Sequence, residues 1–110
     1  MQRGEVVPIA DRSAGERACK LRPAVVVQSD LFHAAGSITV APLSGCRADA
    51  PLLRLKVETF ETVPLQHTSF VMVDKLTTSR HEHAGQVIGR LTREDVVRLD
   101  DGLAVFLGLG

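Results

Sequence analysis

Apolar residues fall into short runs along the chain, in the pattern of a series of β-strands. The run at 4–9 is rich in β-branched residues, and 24–28 contains three consecutive valines, which is typical of a strand buried on both faces. At 52–57 apolar and basic residues alternate with the period of a half-buried strand. We expect six strands, at residues 4–9, 24–28, 37–43, 52–57, 69–74 and 86–91.

After residue 91 the apolar spacing changes to that of a helix. Thr92 is a suitable N-cap, Asp95 follows at the capping-box position, and Glu94 favours the positive end of the helix dipole. Gly102 lies inside this helix at a cost of about 1 kcal/mol relative to alanine, so packing must stabilise it. The apolar stripe expected to face the barrel or a partner chain consists of Val96, Leu99, Leu103, Phe106 and Leu107.

Three segments lack such periods and are expected to connect the strands: a long loop at 10–21, a loop at 44–51, and a polar segment at 77–85 with room for one helical turn. Six short strands followed by one helix favour a mainly β fold with a C-terminal α-helix, an SH3-like small β-barrel. A chain of 110 residues has the size of a single domain, so we expect one domain over 1–110.

The charge balance and hydropathy narrow the class of protein. Thirteen basic residues balance thirteen acidic ones, so the chain lacks the overall positive charge of a non-specific nucleic-acid binder, although a local basic patch is compatible with a neutral total. No apolar stretch approaches the roughly 18 residues of a membrane span, and the N-terminus has no signal-peptide pattern. We therefore expect a cytoplasmic protein that does not enter the membrane.

The cysteines and histidines do not form a recognisable metal motif. Cys19 and Cys46 are too few for a disulfide scaffold and lack CxxC spacing, so free thiols are expected, with a bridge between them as the alternative. The run His81-Glu82-His83 lacks HExxH spacing and a third ligand. We expect no bound metal and no cofactor.

Five ordered segments and the chain ending carry a resemblance to a known family. They are Arg3-Gly4-Glu5-Val6-Val7, Arg22-Pro23-Ala24-Val25-Val26-Val27, Val40-Ala41-Pro42-Leu43-Ser44, Val73-Asp74-Lys75-Leu76-Thr77-Thr78 and Ile88-Gly89-Arg90-Leu91-Thr92, with Leu107-Gly108-Leu109 near the end. In this order and at these spacings the chain resembles the MazF/PemK family of toxin endoribonucleases over nearly its whole length.

The resemblance implies a fold, an activity and partners. The fold would be the MazF/CcdB/PemK-like barrel, forming a homodimer that cleaves single-stranded RNA in a groove at the dimer interface. The activity would be that of a sequence-selective, metal-independent endoribonuclease, an mRNA interferase, in a type II toxin–antitoxin system, with a cognate antitoxin protein occupying the groove. Family members use the arginine of the Arg-Pro motif and a threonine or serine ending the third strand, which implies Arg22 and Ser44 as the catalytic pair.

The residue chemistry suits attack of a ribose 2′-hydroxyl on the adjacent phosphorus. The guanidinium of Arg22 offers a fixed fork of donors that matches a phosphate, and Ser44 offers a hydroxyl and a backbone N–H to a phosphate oxygen. The sequence does not name the base that takes the first proton. Asp74, which matches an acidic position of the family motif, and His67 are both candidates for it.

Departures from the family pattern concern RNA contacts. Lys75 and Thr77 replace an amide and an arginine usual in relatives, and Arg17 and Lys20 stand where relatives usually have glutamate and glycine. We expect these four residues and His67 to bind RNA. Because the four differ from those of relatives, we expect the RNA sequence that is cleaved to differ as well. Phe70 and Phe106 are assigned to the core, which leaves few rings for stacking bases, so sequence preference is expected to come mainly from hydrogen bonds and from Arg or Lys contacts.

Other interpretations remain open. Without the resemblance, Arg22 is most simply a surface residue before a buried strand, and Ser44 is an ordinary turn serine. A non-catalytic, CcdB-like toxin or binding module acting through protein contacts is the alternative function. CcdB activity resides in a Trp-containing C-terminus, however, whereas this chain has no tryptophan and ends Phe106-Leu107-Gly108-Leu109-Gly110.

Overall fold

The computed structural model describes residues 2–11, 20–32, 36–45, 54–58, 60–61 and 68–109, and the account below concerns these residues. The strands are β1 (Glu5–Asp11), β2 (Lys20–Val26), β3 (Ser37–Ser44), β4 (Arg54–Val57), β5 (Ser69–Met72), β6 (Thr77–Arg80) and β7 (Gly89–Arg90). One helix, α1 (Arg93–Leu107), follows them, and single 3-10 turns lie at Asp30–Phe32, Val73–Lys75 and His81–His83. The expected mainly β fold with a C-terminal α-helix is confirmed.

The strands form one antiparallel sheet in the order β4-β5-β3-β2-β1-β7. One edge of β3 has two partners, because its first half pairs with β6 and its end, Leu43 and Ser44, pairs with β5. The 3-10 turn Val73–Lys75 joins β5 to β6 and redirects the chain between these two positions. The sheet is thereby curled around the middle of β3.

Both faces of the central strands are buried. The helix-side core lies between the sheet and α1, with Val25, Ala41 and Leu99 among its members. The second core lies on the opposite face, with Ala24, Val26 and Val40 among its members. Successive residues of a strand point to opposite faces, so the consecutive apolar residues of β2 fill both cores, and the expected doubly buried strand is confirmed.

Helix α1 begins and ends at the caps that its sequence provides. The side chain of Thr92 accepts a hydrogen bond from the backbone N–H of Asp95 at 3.2 Å, and Asp95 Oδ1 in turn accepts from Arg98. At the other end Gly108 adopts the left-handed conformation, with φ of 75°, and the N–H of Leu109 donates to the carbonyl of Ala104. The predicted N-cap at Thr92 is confirmed, whereas the carboxylate of Asp95, expected as its capping-box partner, contacts Arg98. The cap at Gly108 was not predicted.

The strands differ from the prediction in four regions of the chain, and the described residues form seven strands where six were expected. β1 extends to Asp11 and β2 begins at Lys20, paired with each other, so the loop expected at 10–21 is shorter. The polar residues Thr77–Arg80 form β6, and the expected helical turn follows them at His81–His83. At 86–91 only Gly89–Arg90 forms a strand, and 73–74 belong to a 3-10 turn instead of the end of β5.

The expected placement of the phenylalanines in the core was wrong for two of them. Phe106 is 41% exposed in the last turn of α1, and Leu107 beside it is also exposed. Phe70 is half-buried, on the face of β5 opposite to the buried Val71. Phe60 is instead the ring that fills the helix-side core.

Among the described residues, no helix has both the length and the apolar character needed to cross a membrane.

Candidate functional site

Arg22 and Ser44 lie on adjacent antiparallel strands. The pairs Ala24–Pro42, Val25–Ala41 and Val26–Val40 fix the register of β2 against β3. The paired residues of these strands end at Ala24 and Pro42, and Arg22 and Ser44 each lie two residues beyond them, at the same end of the two strands. Arg22 shares the face of Ala24, and Ser44 lies on the face opposite Leu43, because successive residues of a strand alternate between faces. The two residues therefore lie on one face of neighbouring strands.

Two further strands, β5 and then β4, lie beside Ser44 in the sheet. Ser44 is paired with Phe70 of β5, and Phe70 is paired with Lys56 of β4. Arg22, Ser44, Phe70 and Lys56 thus form what we call the cross-strand row. It presents a guanidinium-bearing residue, a hydroxyl, an aromatic ring and an ammonium-bearing residue on four neighbouring strands.

The alternation of the strands identifies the face on which the cross-strand row lies. Leu43, Val71 and Leu55, which alternate with members of the row, all pack in or against the helix-side core. The side chains of the row consequently leave the sheet on the other face. At the β4 end Lys56 also borders α1, because its carbonyl accepts a hydrogen bond from Arg98 at 2.9 Å and both residues line one cavity. Arg22 and Lys56 are exposed there, whereas Ser44 and Phe70 are half-buried.

Asp74 lies in the 3-10 turn after β5, where its carboxylate is paired with the guanidinium of Arg54. The pair is well covered, with side-chain exposures of 10% for Arg54 and 18% for Asp74. The carboxylate of Asp74 is therefore already engaged by the guanidinium of Arg54. Its role as a base stays a prediction, and the observed geometry favours fixing the turn.

The expected RNA-binding residues are distributed more widely. Lys75 is exposed in the 3-10 turn, and Thr77, which begins β6 opposite Val40, donates its hydroxyl to the carbonyl of Lys75 at 3.0 Å. Val40 is four residues before Ser44 on β3, a separation of about 13 Å along the strand. Thr77 thus lies on the edge of β3 that also pairs with β5, but beside the first half of β3 and not beside Ser44.

Three expected site residues are not described in their side chains. Arg17 and His67 lie outside the described residues, as do Cys19 and Cys46. Lys20 begins β2, paired with Asp11. Within the part of the chain that the structure describes, no group of three His, Cys, Asp or Glu residues is arranged to hold a metal ion. The histidines of the His81–His83 turn lie beside Glu82 on the surface.

Sequence reasoning missed Arg54, Lys56 and Phe70 as site residues. The alternation at 52–57 correctly indicated a strand with its basic residues on one face. It did not indicate which strand would pair with β4, and the row depends on that pairing. The sequence alone did not show how β4 and β5 pair with each other and with β3.

Comparison with known proteins agrees with the fold and the motif order. The family model of PemK-like, MazF-like toxins of type II toxin–antitoxin systems matches residues 2–107. A protein of Mycolicibacterium smegmatis named "Probable endoribonuclease MazF" is 39% identical over 109 residues, which cover 99% of this chain and 98% of that protein.

Solved structures share the fold at lower identity. An endoribonuclease in complex with its cognate antitoxin from a mycobacterial species superposes with a TM-score of 0.78 at 22% identity, covering 100% of this chain and 97% of that one. The Mycobacterium tuberculosis toxin MazF-mt6 gives 0.76 at 20% identity, covering 94% and 97%. A MazE-MazF structure from Deinococcus radiodurans gives 0.73 at 15% identity, covering 100% and 98%. The expected MazF/PemK-like fold is confirmed.

Motif order, strand arrangement and the match over nearly the whole length lead to one conclusion. The chain belongs to the PemK-like, MazF-like toxin family of type II toxin–antitoxin systems.

Proposed function

We propose that this chain is a sequence-selective, metal-independent endoribonuclease that cleaves single-stranded RNA as the toxin of a type II toxin–antitoxin module. Two observations support the proposal. The first is membership of the toxin family, with a 39% identical relative named as an endoribonuclease. The second, which supports the chemistry, is that Arg22 and Ser44 lie on the same face at the same end of the neighbouring strands β2 and β3.

In the proposed reaction the 2′-oxygen of a ribose attacks the adjacent phosphorus and the 5′-oxygen of the next nucleotide leaves, so the products are a 2′,3′-cyclic phosphate and a 5′-hydroxyl. Arg22 holds the phosphate through paired N–H donors and gains strength as negative charge develops on the oxygens. A guanidinium has hydrogen-bond donors and no acceptor, so the base must be another group. Ser44 donates a further hydrogen bond to the same group.

The proposed partners follow from the same family membership. A neighbour solved in complex with a cognate antitoxin, and another solved as MazE-MazF, support an antitoxin protein as the inhibitor. We further propose that the chain acts in the cytoplasm as one domain, in a homodimer whose interface contains the RNA groove.

The proposal is tested by digestion of a long single-stranded RNA with purified protein in excess EDTA. Wild-type protein should yield discrete fragments ending in cyclic phosphate, and Arg22→Ala should lose them. Arg80→Ala is the matched control, because Arg80 is 77% exposed and is paired with Ser37 at the opposite end of β3.

Fragments that persist unchanged in Arg22→Ala would contradict the assignment of Arg22. A folded wild-type protein that cleaves no RNA under any of these conditions would favour the non-catalytic, CcdB-like alternative. An open reading frame for a small acidic protein immediately upstream would favour the toxin over a lone binding module.

A further inference from the structure

We propose that Phe70 is a substrate-positioning residue whose ring stacks on an RNA base beside the scissile phosphate. The inference rests on the proposed function, since it requires RNA at the cross-strand row. It assigns a base contact to the same site that Arg22 and Ser44 supply with phosphate contacts.

The position of Phe70 follows from the β3–β5 pairing. Ser44 and Phe70 are direct partners in that pairing, so their side chains leave the sheet on the same face with Cβ atoms about 5 Å apart. A phosphate held by Ser44 would therefore have its attached nucleoside within reach of the ring.

Phe70 is partly exposed, on the face of the sheet opposite the helix-side core. Its neighbour Val71 is fully buried in the helix-side core, whereas Phe70 is half-buried on the opposite face. We propose that the accessible part of this ring is where a nucleobase contacts it. Such a ring is a rigid platform for a nucleobase, and stacking of this kind tolerates any base.

The residues on either side of the ring suit the backbone of a nucleic acid. Ser44 and Arg22 lie on one side, and the exposed Lys56, the direct partner of Phe70 on β4, lies on the other. Lys56 also contacts Glu58 at 3.1 Å, but both side chains are more than half exposed, and such pairs are weak. A ring with cationic residues on both sides is the arrangement expected for alternating bases and phosphates.

The other three aromatic residues of the chain do not share this position. Phe60 is buried in the helix-side core, and Phe106 is on the last turn of α1. Phe32 is exposed, but its 3-10 turn lies between the end of β2 and the start of β3, at the far end of that pair from Arg22 and Ser44. Phe70 is therefore the ring placed beside the proposed reaction.

The absence of tryptophan from the chain allows a direct test. Phe70→Trp introduces a single tryptophan, whose fluorescence is quenched when a base stacks on it. The probe is a single-stranded RNA containing one site cleaved in the digest, with the 2′-hydroxyl at that site replaced by hydrogen so that it is not cut. Anisotropy of a dye on the same RNA reports binding independently, and Phe32→Trp is the control.

We expect saturable quenching in Phe70→Trp with the Kd given by anisotropy, and little quenching in Phe32→Trp. With cleavable RNA, Phe70→Leu should raise KM about 10-fold with kcat nearly unchanged, and Phe70→Trp should restore KM. If Phe70→Leu fails to fold, the fluorescence of Phe70→Trp still decides the question.

Each contrary outcome has a distinct meaning. Binding by anisotropy without quenching in Phe70→Trp would overturn the stacking role and leave the nuclease proposal intact. Wild-type protein that neither binds nor cleaves RNA would overturn the proposed function, and the stacking role with it.

Discussion

Gly89 lies directly against the ring of Phe60 in the helix-side core. A Cβ built on Gly89 would lie 2.9 Å from Cε2 of Phe60 and closer still to Cδ2, a distance at which one of the two residues must move. The backbone is also paired here, since Phe60 bridges Leu91 and the N–H of Glu61 donates to the carbonyl of Arg90. Gly89 therefore permits the short segment at Phe60 to close over β7.

Gly89→Ala is expected to lower the free energy of unfolding by about 1–3 kcal/mol through overpacking against Phe60. Urea denaturation followed by circular dichroism measures it. An unchanged midpoint would show that the ring of Phe60 moves aside at no cost.

Gly102→Ala is expected to have the opposite sign. The added Cβ would meet Val73 at 3.7 and 3.9 Å, which is ordinary van der Waals contact, and alanine is favoured over glycine inside a helix. The same denaturation should show a gain of about 0.5–1 kcal/mol. A loss of stability would mean that α1 is packed more tightly against the 3-10 turn at Val73 than these distances indicate.

Replacing Phe60 and Phe106 by alanine should have different effects on stability, because only Phe60 lies in the core. Phe60 is 8% exposed, so Phe60→Ala should cost about 3–5 kcal/mol through lost burial and a cavity. Phe106→Ala should cost less than about 1 kcal/mol, because Phe106 is 41% exposed and lies outside the buried core. Comparable midpoints for the two variants in urea would contradict the assignment of Phe60 to the core.

Arg3 ties the N-terminus to three parts of the fold. Its Nε donates to the carbonyl of Val27 at 2.9 Å, its guanidinium pairs with Asp100 of α1 at 2.5 Å, and its backbone N–H donates to Asp30 at 2.6 Å. Arg3→Ala leaves the backbone bond in place and removes the other two, of which the bond to the part-buried carbonyl contributes more.

We expect Arg3→Ala to lower the unfolding free energy by about 1–2 kcal/mol. Arg80→Ala is the control, because the Arg80–Glu82 pair spans 3.5 Å between side chains that are 77% and 68% exposed, so its change should stay within about 0.5 kcal/mol. Equal changes for the two variants would show that the contacts of Arg3 do not stabilise the docking of α1.

Local patterns were sufficient for most of the fold but not for all of it. The valine run predicted the buried strand β2, and Thr92 predicted the start of α1. Both predictions depend only on residues close together in the sequence. β6 was missed because Thr77–Arg80 contains no apolar residue, and its strand is held by backbone pairing with β3. Val87 and Ile88 were predicted to belong to a strand because they are apolar and β-branched. Both are exposed and precede β7.

The helix was also predicted correctly only in part. Its apolar period correctly placed Leu99 and Leu103 in the core. The period shows which face of a helix is apolar, but it does not show how far along the helix the sheet covers that face. Phe106 and Leu107 continue the stripe into the last turn, where they are exposed.

The candidate site was accessible from the sequence only in part. The order of the family motifs indicated Arg22 and Ser44, whose roles remain proposals. The positions of Phe70 and Lys56 depend on the pairing of β3, β4 and β5, whose register is set by contacts between residues far apart in the chain. The alternation of apolar and polar residues within one strand does not show which residues of another strand it pairs with.

The central claim, that Arg22 and Ser44 act on the same phosphate, is tested most directly by a double-mutant cycle. Single-turnover cleavage of one RNA is measured for wild type, Arg22→Ala, Ser44→Ala and the double variant, each verified as folded by circular dichroism. Each single change should slow cleavage on the order of 100-fold or more, and the double variant should be much less impaired than the product of the two losses. Losses that simply multiply, or an Arg22→Ala variant that cleaves at the wild-type rate, would contradict a shared site.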